Sequence, residues 1–287
     1  EYPNGILYLK LSSFSATSYK EVMAAVRKYP HKNGIHLDLR NNGGGLLLSA
    51  LQIANEFLKA GQLILYTECR TVERVVQRAN GYGSLQDIPL VVLINEGSAS
   101  SSEIFAGAIQ DNDRGTIIGR RSFGKGLVQK QMEFPDGSII RLTTARYYTP
   151  SGRCIQKPYT MGDESFYAQD LVDRYQHGEY FSQDSIKHTG PAYHTHIGRV
   201  VYGGGGITPD IFIPEDTLGM TSYYKRAAMS GLILQFAYDY TDDNRAKLNG
   251  YRNMQSLYDL TLIHISEPTR RTPLSYAVFC LKNKRGP

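Results

Sequence analysis

Tryptophan is absent from the 287 residues, and cysteine is scarce, limited to Cys69, Cys154 and Cys280. Three cysteines at these separations give neither a metal-ligand spacing nor a disulfide framework. Long hydrophobic runs are missing: no stretch approaches the about 18–20 apolar residues that a membrane-spanning helix requires. There is no internal repeat. Histidine is sparse, with seven residues, and His194-Thr-His196 has no third ligand at suitable spacing, so neither metal nor cofactor is expected. What remains is ordinary for a globular chain: 41% hydrophobic and 21% charged residues, with 21 tyrosines.

The formal net charge of +5 is not evidence for a nucleic-acid partner. Residues from about Leu260 resemble the translated read-through of a sequencing-library adapter followed by its flow-cell primer. That stretch carries Arg270, Arg271, Lys282, Lys284 and Arg285 against Glu267, a net of +4, so the rest of the chain holds only +1. Residues 260–287 are therefore expected to be a non-native tail and are set aside from fold reasoning. The first residue is Glu1 and strand-like sequence begins almost at once, so the chain is expected to derive from a longer one.

Along residues 1–259 the pattern alternates strand, turn and helix. Strands are expected at Gly5–Ser12, Gly34–Arg40, Leu63–Tyr66, Pro89–Ile94 and Gly115–Gly119. Helices are expected at Thr17–Tyr29, Leu46–Lys59 and Ser98–Asp111. The continuous apolar run Pro89-Leu-Val-Val-Leu-Ile94 marks a strand buried on both faces. The fold class is therefore α/β, a largely parallel sheet with flanking helices. A β-hairpin is expected from Val128–Phe134 and Ser138–Tyr147 around Pro135-Asp-Gly137, and C-terminal helices from Ser222–Asp239 and Asn244–Tyr258. Residues 159–200 are polar and aperiodic and read as a surface insertion.

Three segments can carry chemistry. Asn95-Glu-Gly-Ser-Ala-Ser-Ser-Ser-Glu103 lies where a buried strand turns into a helix, which exposes a hydroxyl among backbone amides beside a positive dipole end. One serine would suffice as a helix cap; four in five residues exceed that need. Gly119-Arg-Arg-Ser-Phe-Gly-Lys-Gly126 imitates a phosphate-binding loop, but Gly126 stands where that loop needs Ser or Thr, and a strand rather than a helix follows. Its Ser122-Phe-Gly-Lys125 also fits a Ser-x-x-Lys motif, without the Lys-Thr-Gly or Ser-Asp-Asn that should accompany it. Asn42-Gly-Gly-Gly45, between a strand and a helix, lets backbone approach a ligand closely, or is a plain tight turn.

The ordered set Leu37-Asp-Leu-Arg-Asn-Asn-Gly-Gly-Gly45, Gly97-Ser-Ala-Ser-Ser-Ser-Glu103 running on to Asp111, and Ser122-Phe-Gly-Lys-Gly-Leu-Val-Gln129 resembles the carboxyl-terminal processing peptidases, or tail-specific proteases. Arg146-Tyr-Tyr-Thr-Pro-Ser-Gly152 and Gly206-Ile-Thr-Pro-Asp210 are similar to further stretches of that family. The resemblance implies a ClpP/crotonase-like core. It places the nucleophile on Ser100, the general base on Lys125 and the glutamine that positions it on Gln129. It places oxyanion amides on Ser101 and Gly45, with Glu103 and Asp111 as supporting residues. Ser101 replaces the family's usual alanine, a change expected to be tolerated because the position contributes its backbone amide.

A serine hydroxyl is a weak nucleophile until a base takes its proton. A lysine can serve only when neutral, and burial favours that form. The implied activity is a serine endopeptidase acting near the C-termini of protein substrates with flexible ends. The resemblance also implies an extracytoplasmic location in periplasm or envelope, and a regulatory PDZ domain preceding this fragment. A catalytically silent peptide-binding relative is the alternative, against which the intact Ser100, Lys125 and Gln129 set argues.

Overall fold

The computed structural model describes residues 4–69, 73–159, 165–188, 190–217 and 221–250. The chain divides into two compact units, residues 1–215 and 216–287. The adapter-like stretch 260–287 and the expected helical residues 251–258 lie outside the described residues.

The first unit is built on a five-stranded sheet of β1 (Ile6–Lys10), β2 (Gly34–Asp38), β5 (Leu90–Ile94), β6 (Thr116–Gly119) and β11 (Ile211–Phe212), in that spatial order. Every neighbouring pair is parallel. Helices α1 (Ser18–Lys28), α2 (Leu47–Phe57) and α3 (Ser101–Asp111) form the crossovers. Each buries the face its apolar spacing dictates: Val22, Met23 and Val26 on α1, and Ala50, Ile53, Ala54 and Phe57 on α2. Helix α3 is buried at every position, which places the residues at its start inside the molecule.

A second sheet runs β4 (Val75–Arg78), β3 (Leu63–Glu68), β8 (Ile139–Tyr148), β7 (Leu127–Glu133), all antiparallel. Strands β7 and β8 are the expected hairpin. A strand pair, β9 (Ala192–His194) with β10 (Val200–Tyr202), completes the described sheets.

The stretch 159–200, expected at the surface, contributes more than that in its described part. Helix α4 (Ser165–Gln176) carries Arg174, which is buried and pairs with the buried Glu179 (2.9 Å) while donating to the carbonyls of Ser122 (2.9 Å) and Arg121 (2.6 Å). Charged residues read as solvated in a sequence, yet a guanidinium whose three nitrogens each find an acceptor can be buried. In the second unit, α5 (Ser222–Met229) and α6 (Leu232–Asp243) replace one expected helix. The break falls at Gly231, whose φ of 70° a side chain would resist. Helix α7 (Arg245–Leu248) follows.

Candidate active site

The turn from β5 into α3 is organised by Asn95. Its Oδ1 accepts the amides of Asn41 (2.8 Å) and Gly97 (3.1 Å), and its Nδ2 donates to Asn41 Oδ1 (2.9 Å). The four serines of the turn then meet different fates. Ser98 donates to Leu39 O (2.8 Å), Ser101 to Gly45 O (2.9 Å) and Ser102 to Asn42 O (2.8 Å), and all three are buried. Their hydroxyls are spent stitching the turn to the glycine loop. Ser100 is the one of the four that is not buried. It sits at φ 55°, ψ −113°, a conformation that a non-glycine residue holds only when its surroundings impose it.

The glycine loop packs directly under this serine. Asn42 is fully buried, donates to Leu11 O (2.8 Å) and accepts Gly44 N (2.9 Å). Gly44 has φ 98°, and a Cβ there would lie 2.7 Å from Ala99 O, 2.8 Å from Ser100 Cβ and 2.9 Å from Ser101 N. Gly44→Ala is therefore expected to push the loop off the serine turn. Its melting temperature should fall and its reaction with a serine-directed phosphonate should slow by about 10-fold or more. A variant that labels and melts like the parent would show that the loop tolerates a side chain there. The amides of Gly45 and Ser101 donate to no backbone acceptor among the described residues, and the Ser101–Gly45 bond keeps the two residues together.

The lysine loop reaches the same place from the other side. Phe123 N donates to Ser98 O (2.9 Å). Glu103, fully buried at the third position of α3, then ties the parts to one another. Its Oε2 accepts the amides of Ser100 and Lys125, each at 2.9 Å, and its Oε1 accepts Gly124 N (2.7 Å) and Ser122 Oγ (2.5 Å). One carboxylate thus fixes the backbone of both Ser100 and Lys125. Burial pushes the Glu103 carboxyl above the usual carboxylate range, against the pull of those four donors. Lys125 is partly buried, and among the described residues no hydrogen bond or ion pair engages its amine.

Residues 5–166 match the sequence profile of peptidase family S41. The chain belongs to this family. It is 46% identical over 159 residues to the carboxyl-terminal-processing protease of Synechocystis sp., covering 55% of this chain and 37% of that relative. It is 43% identical over 147 residues to the chloroplastic carboxyl-terminal-processing peptidase 3 of Arabidopsis thaliana, covering 50% and 28%. The chain thus spans about a third of the length of the curated relatives it matches. Among solved structures it is similar to the photosystem II D1 C-terminal processing protease, with a TM-score of 0.52 and 27% identity, covering 74% of this chain and 44% of that one.

Against this S41 frame, the structure brings together Ser100, Ser101, Glu103, Lys125 and Gly45 of the residues singled out in the sequence. Gln129 is exposed on β7, just past a slip in the β7–β8 register, and no hydrogen bond joins it to Lys125. Asp111 lies at the opposite end of α3 from Ser100, where it pairs with the buried Arg153 (2.7 Å) and accepts Ser151 Oγ (2.7 Å), so it braces the 149–153 turn. Ser122, weighed as part of a Ser-x-x-Lys motif, is buried with its hydroxyl committed to Glu103 and to Ile207 N (2.6 Å).

Sequence reasoning missed Tyr147, whose hydroxyl reaches the backbone of both Ser100 and Lys125. Its only signal was membership in the family-like stretch Arg146–Gly152. An open cavity of about 400 Å3 is lined by Leu127, Thr143, Arg146, Tyr148 and Tyr159 among others, and by none of Ser100, Ser101, Gly45 or Lys125. No histidine occurs in the segments 39–46, 95–103, 122–126 or 145–149 that form this region.

Proposed function

We propose that this S41 chain is the catalytic part of a serine endopeptidase that hydrolyses peptide bonds near the C-termini of protein substrates, with Ser100 as nucleophile and Lys125 as general base. The observation that carries the reading is the serine turn. Three of four hydroxyls are buried on backbone carbonyls, and the accessible one is strained and tied through Glu103 to the lysine loop.

In this mechanism the neutral Lys125 amine takes the Ser100 Oγ proton as Oγ attacks the scissile carbonyl. The amides of Gly45 and Ser101 receive the developing oxyanion, worth about 3–4 kcal/mol per donor. Collapse of the tetrahedral intermediate breaks the C–N bond, and the leaving amine takes the proton from Lys125. The Lys125 amine, neutral again, then deprotonates a water that attacks the acyl-serine ester. Collapse of that second tetrahedral intermediate breaks the acyl–Oγ bond and releases the acid product, and Lys125 returns the proton to Ser100 Oγ. Gln129 serves as the glutamine that orients the lysine, which requires it to turn inward when substrate fills the site. The similarity to carboxyl-terminal-processing proteases supports this reading, and the cyanobacterial and chloroplast sources of those relatives fit an extracytoplasmic or lumenal location. A PDZ domain elsewhere in the full-length protein would select flexible C-termini.

The test is a product map. Incubated with a protein bearing an unstructured C-terminal extension, the chain is expected to release fragments whose masses place the cuts within that extension. Ser100→Ala should release none. Peptide retained uncut by the unsubstituted chain would favour the silent relative.

A further inference from the structure

Ser100 and Lys125 come from different segments, so non-covalent ties alone set the distance between them. Glu103 grips the amide side of both residues. Tyr147 of β8 does the equivalent on the carbonyl side. Its side chain is 1% exposed, and its hydroxyl lies 2.7 Å from Lys125 O and 3.1 Å from Ser100 O. We infer that Tyr147 is a positioning residue that sets the spacing of the serine and the lysine by spanning their two carbonyls; the inference rests on the Ser/Lys reading above.

Three observations support it. Ser100 O already accepts the amides of Glu103 and Ile104, each at 2.9 Å, so the phenol is not needed there merely to satisfy a buried acceptor. Tyr147 N donates to Gly126 O (3.0 Å), which anchors the ring's own backbone to the lysine loop. Burial, and after it the Glu103 charge, hold the hydroxyl well above the ordinary tyrosine range, so it stays protonated and remains a donor. A phenol carries one proton for two carbonyls in reach. The shorter contact makes Lys125 O the main acceptor, and Ser100 O shares the proton. A phenylalanine would fill the same space and avoid burying a hydroxyl; the polar atom is explained by what it bridges.

Tyr147→Phe removes that atom alone. The experiment measures phosphonylation of Ser100 by a fluorophosphonate, by intact mass, together with kcat and KM on a peptide substrate and the melting temperature. Lys125→Ala is run in parallel. Without the tie the Lys125 peptide relaxes outward, and the amine no longer meets Ser100 Oγ at reacting distance. The expected result is a labelling rate and kcat lower by about 10- to 100-fold, with KM within about twofold and a nearly unchanged melt.

Parent-like labelling and kcat would overturn the inference. A slower rate that tracks a lower melting temperature would also overturn it, by showing a purely structural tyrosine. Parent-like labelling of Lys125→Ala would instead sink the Ser/Lys reading, and the Tyr147 inference with it, in a separate arm of the same experiment.

Discussion

Lys125→Arg will abolish turnover, lowering kcat by about 10^4-fold or more, the scale seen when one member of a nucleophile–base pair is lost. A guanidinium is always protonated and cannot accept the Ser100 proton, even though its charge and length resemble those of an ammonium. The variant should fold, because the Lys125 amide that binds Glu103 belongs to the backbone and survives the change. Ser100→Ala should be as inactive, but loss of a serine alone does not identify its base, so the arginine variant is the sharper of the two. A peptide assay beside a thermal melt decides it. If Lys125→Arg keeps a substantial share of parent turnover, the base lies elsewhere and must be brought in from outside the segments around Ser100, which contain no histidine.

Glu103→Gln is expected to be the most damaging substitution that leaves Ser100 and Lys125 themselves untouched. The carboxylate accepts four donors, two on each oxygen. An amide can present only one accepting oxygen, so two of those donors face an NH2 group instead. At about 1–3 kcal/mol for each buried donor left without an acceptor, the loss is about 2–6 kcal/mol, a large share of the stability of an ordinary domain. Activity should fall with it, since the amides of both Ser100 and Lys125 depend on this side chain. A variant that melts like the parent would show that the carboxylate does not hold the segments together.

The same residue gives stability a pH signature. Burial raises the folded-state value of Glu103 above that of the unfolded chain, so the folded protein holds a proton that the unfolded chain has already released. Its contribution is therefore full below the ordinary carboxylate value and declines as pH rises through the raised folded value. The stability difference between parent and Glu103→Gln should accordingly be largest in acid and shrink as pH rises through that window. A difference that grows with pH would mean the four hydrogen bonds outweigh burial and depress the carboxyl instead.

Much of this was legible in the sequence because local signals agreed with the global fold. The apolar run at Pro89–Ile94 and the helical spacing of Ile104, Phe105, Ala108 and Ile109 specify β5 and α3, and the serines between them fall where a strand turns into a helix. The glycines at 43–45 signal close backbone approach, and Gly44 makes it. What was not legible depends on contacts between residues distant in the chain. Tyr147 reads as one aromatic among 21 tyrosines, and only the fold brings its hydroxyl to carbonyls 22 and 47 residues away. Arg174 reads as a surface charge until Glu179 and two carbonyls of the lysine loop surround it. Gln129 shows the reverse. Its place in the motif pairs it with Lys125, but β7 presents it to solvent.

Whether Lys125 activates Ser100 as a nucleophile is decided by residue-resolved labelling with a fluorophosphonate. Peptide mapping of the labelled chain is expected to show a single adduct, on Ser100, with Lys125→Arg labelled about 10^3-fold more slowly or not at all. An adduct on Ser98, Ser101 or Ser102, or labelling of Lys125→Arg at the parent rate, would contradict that activation.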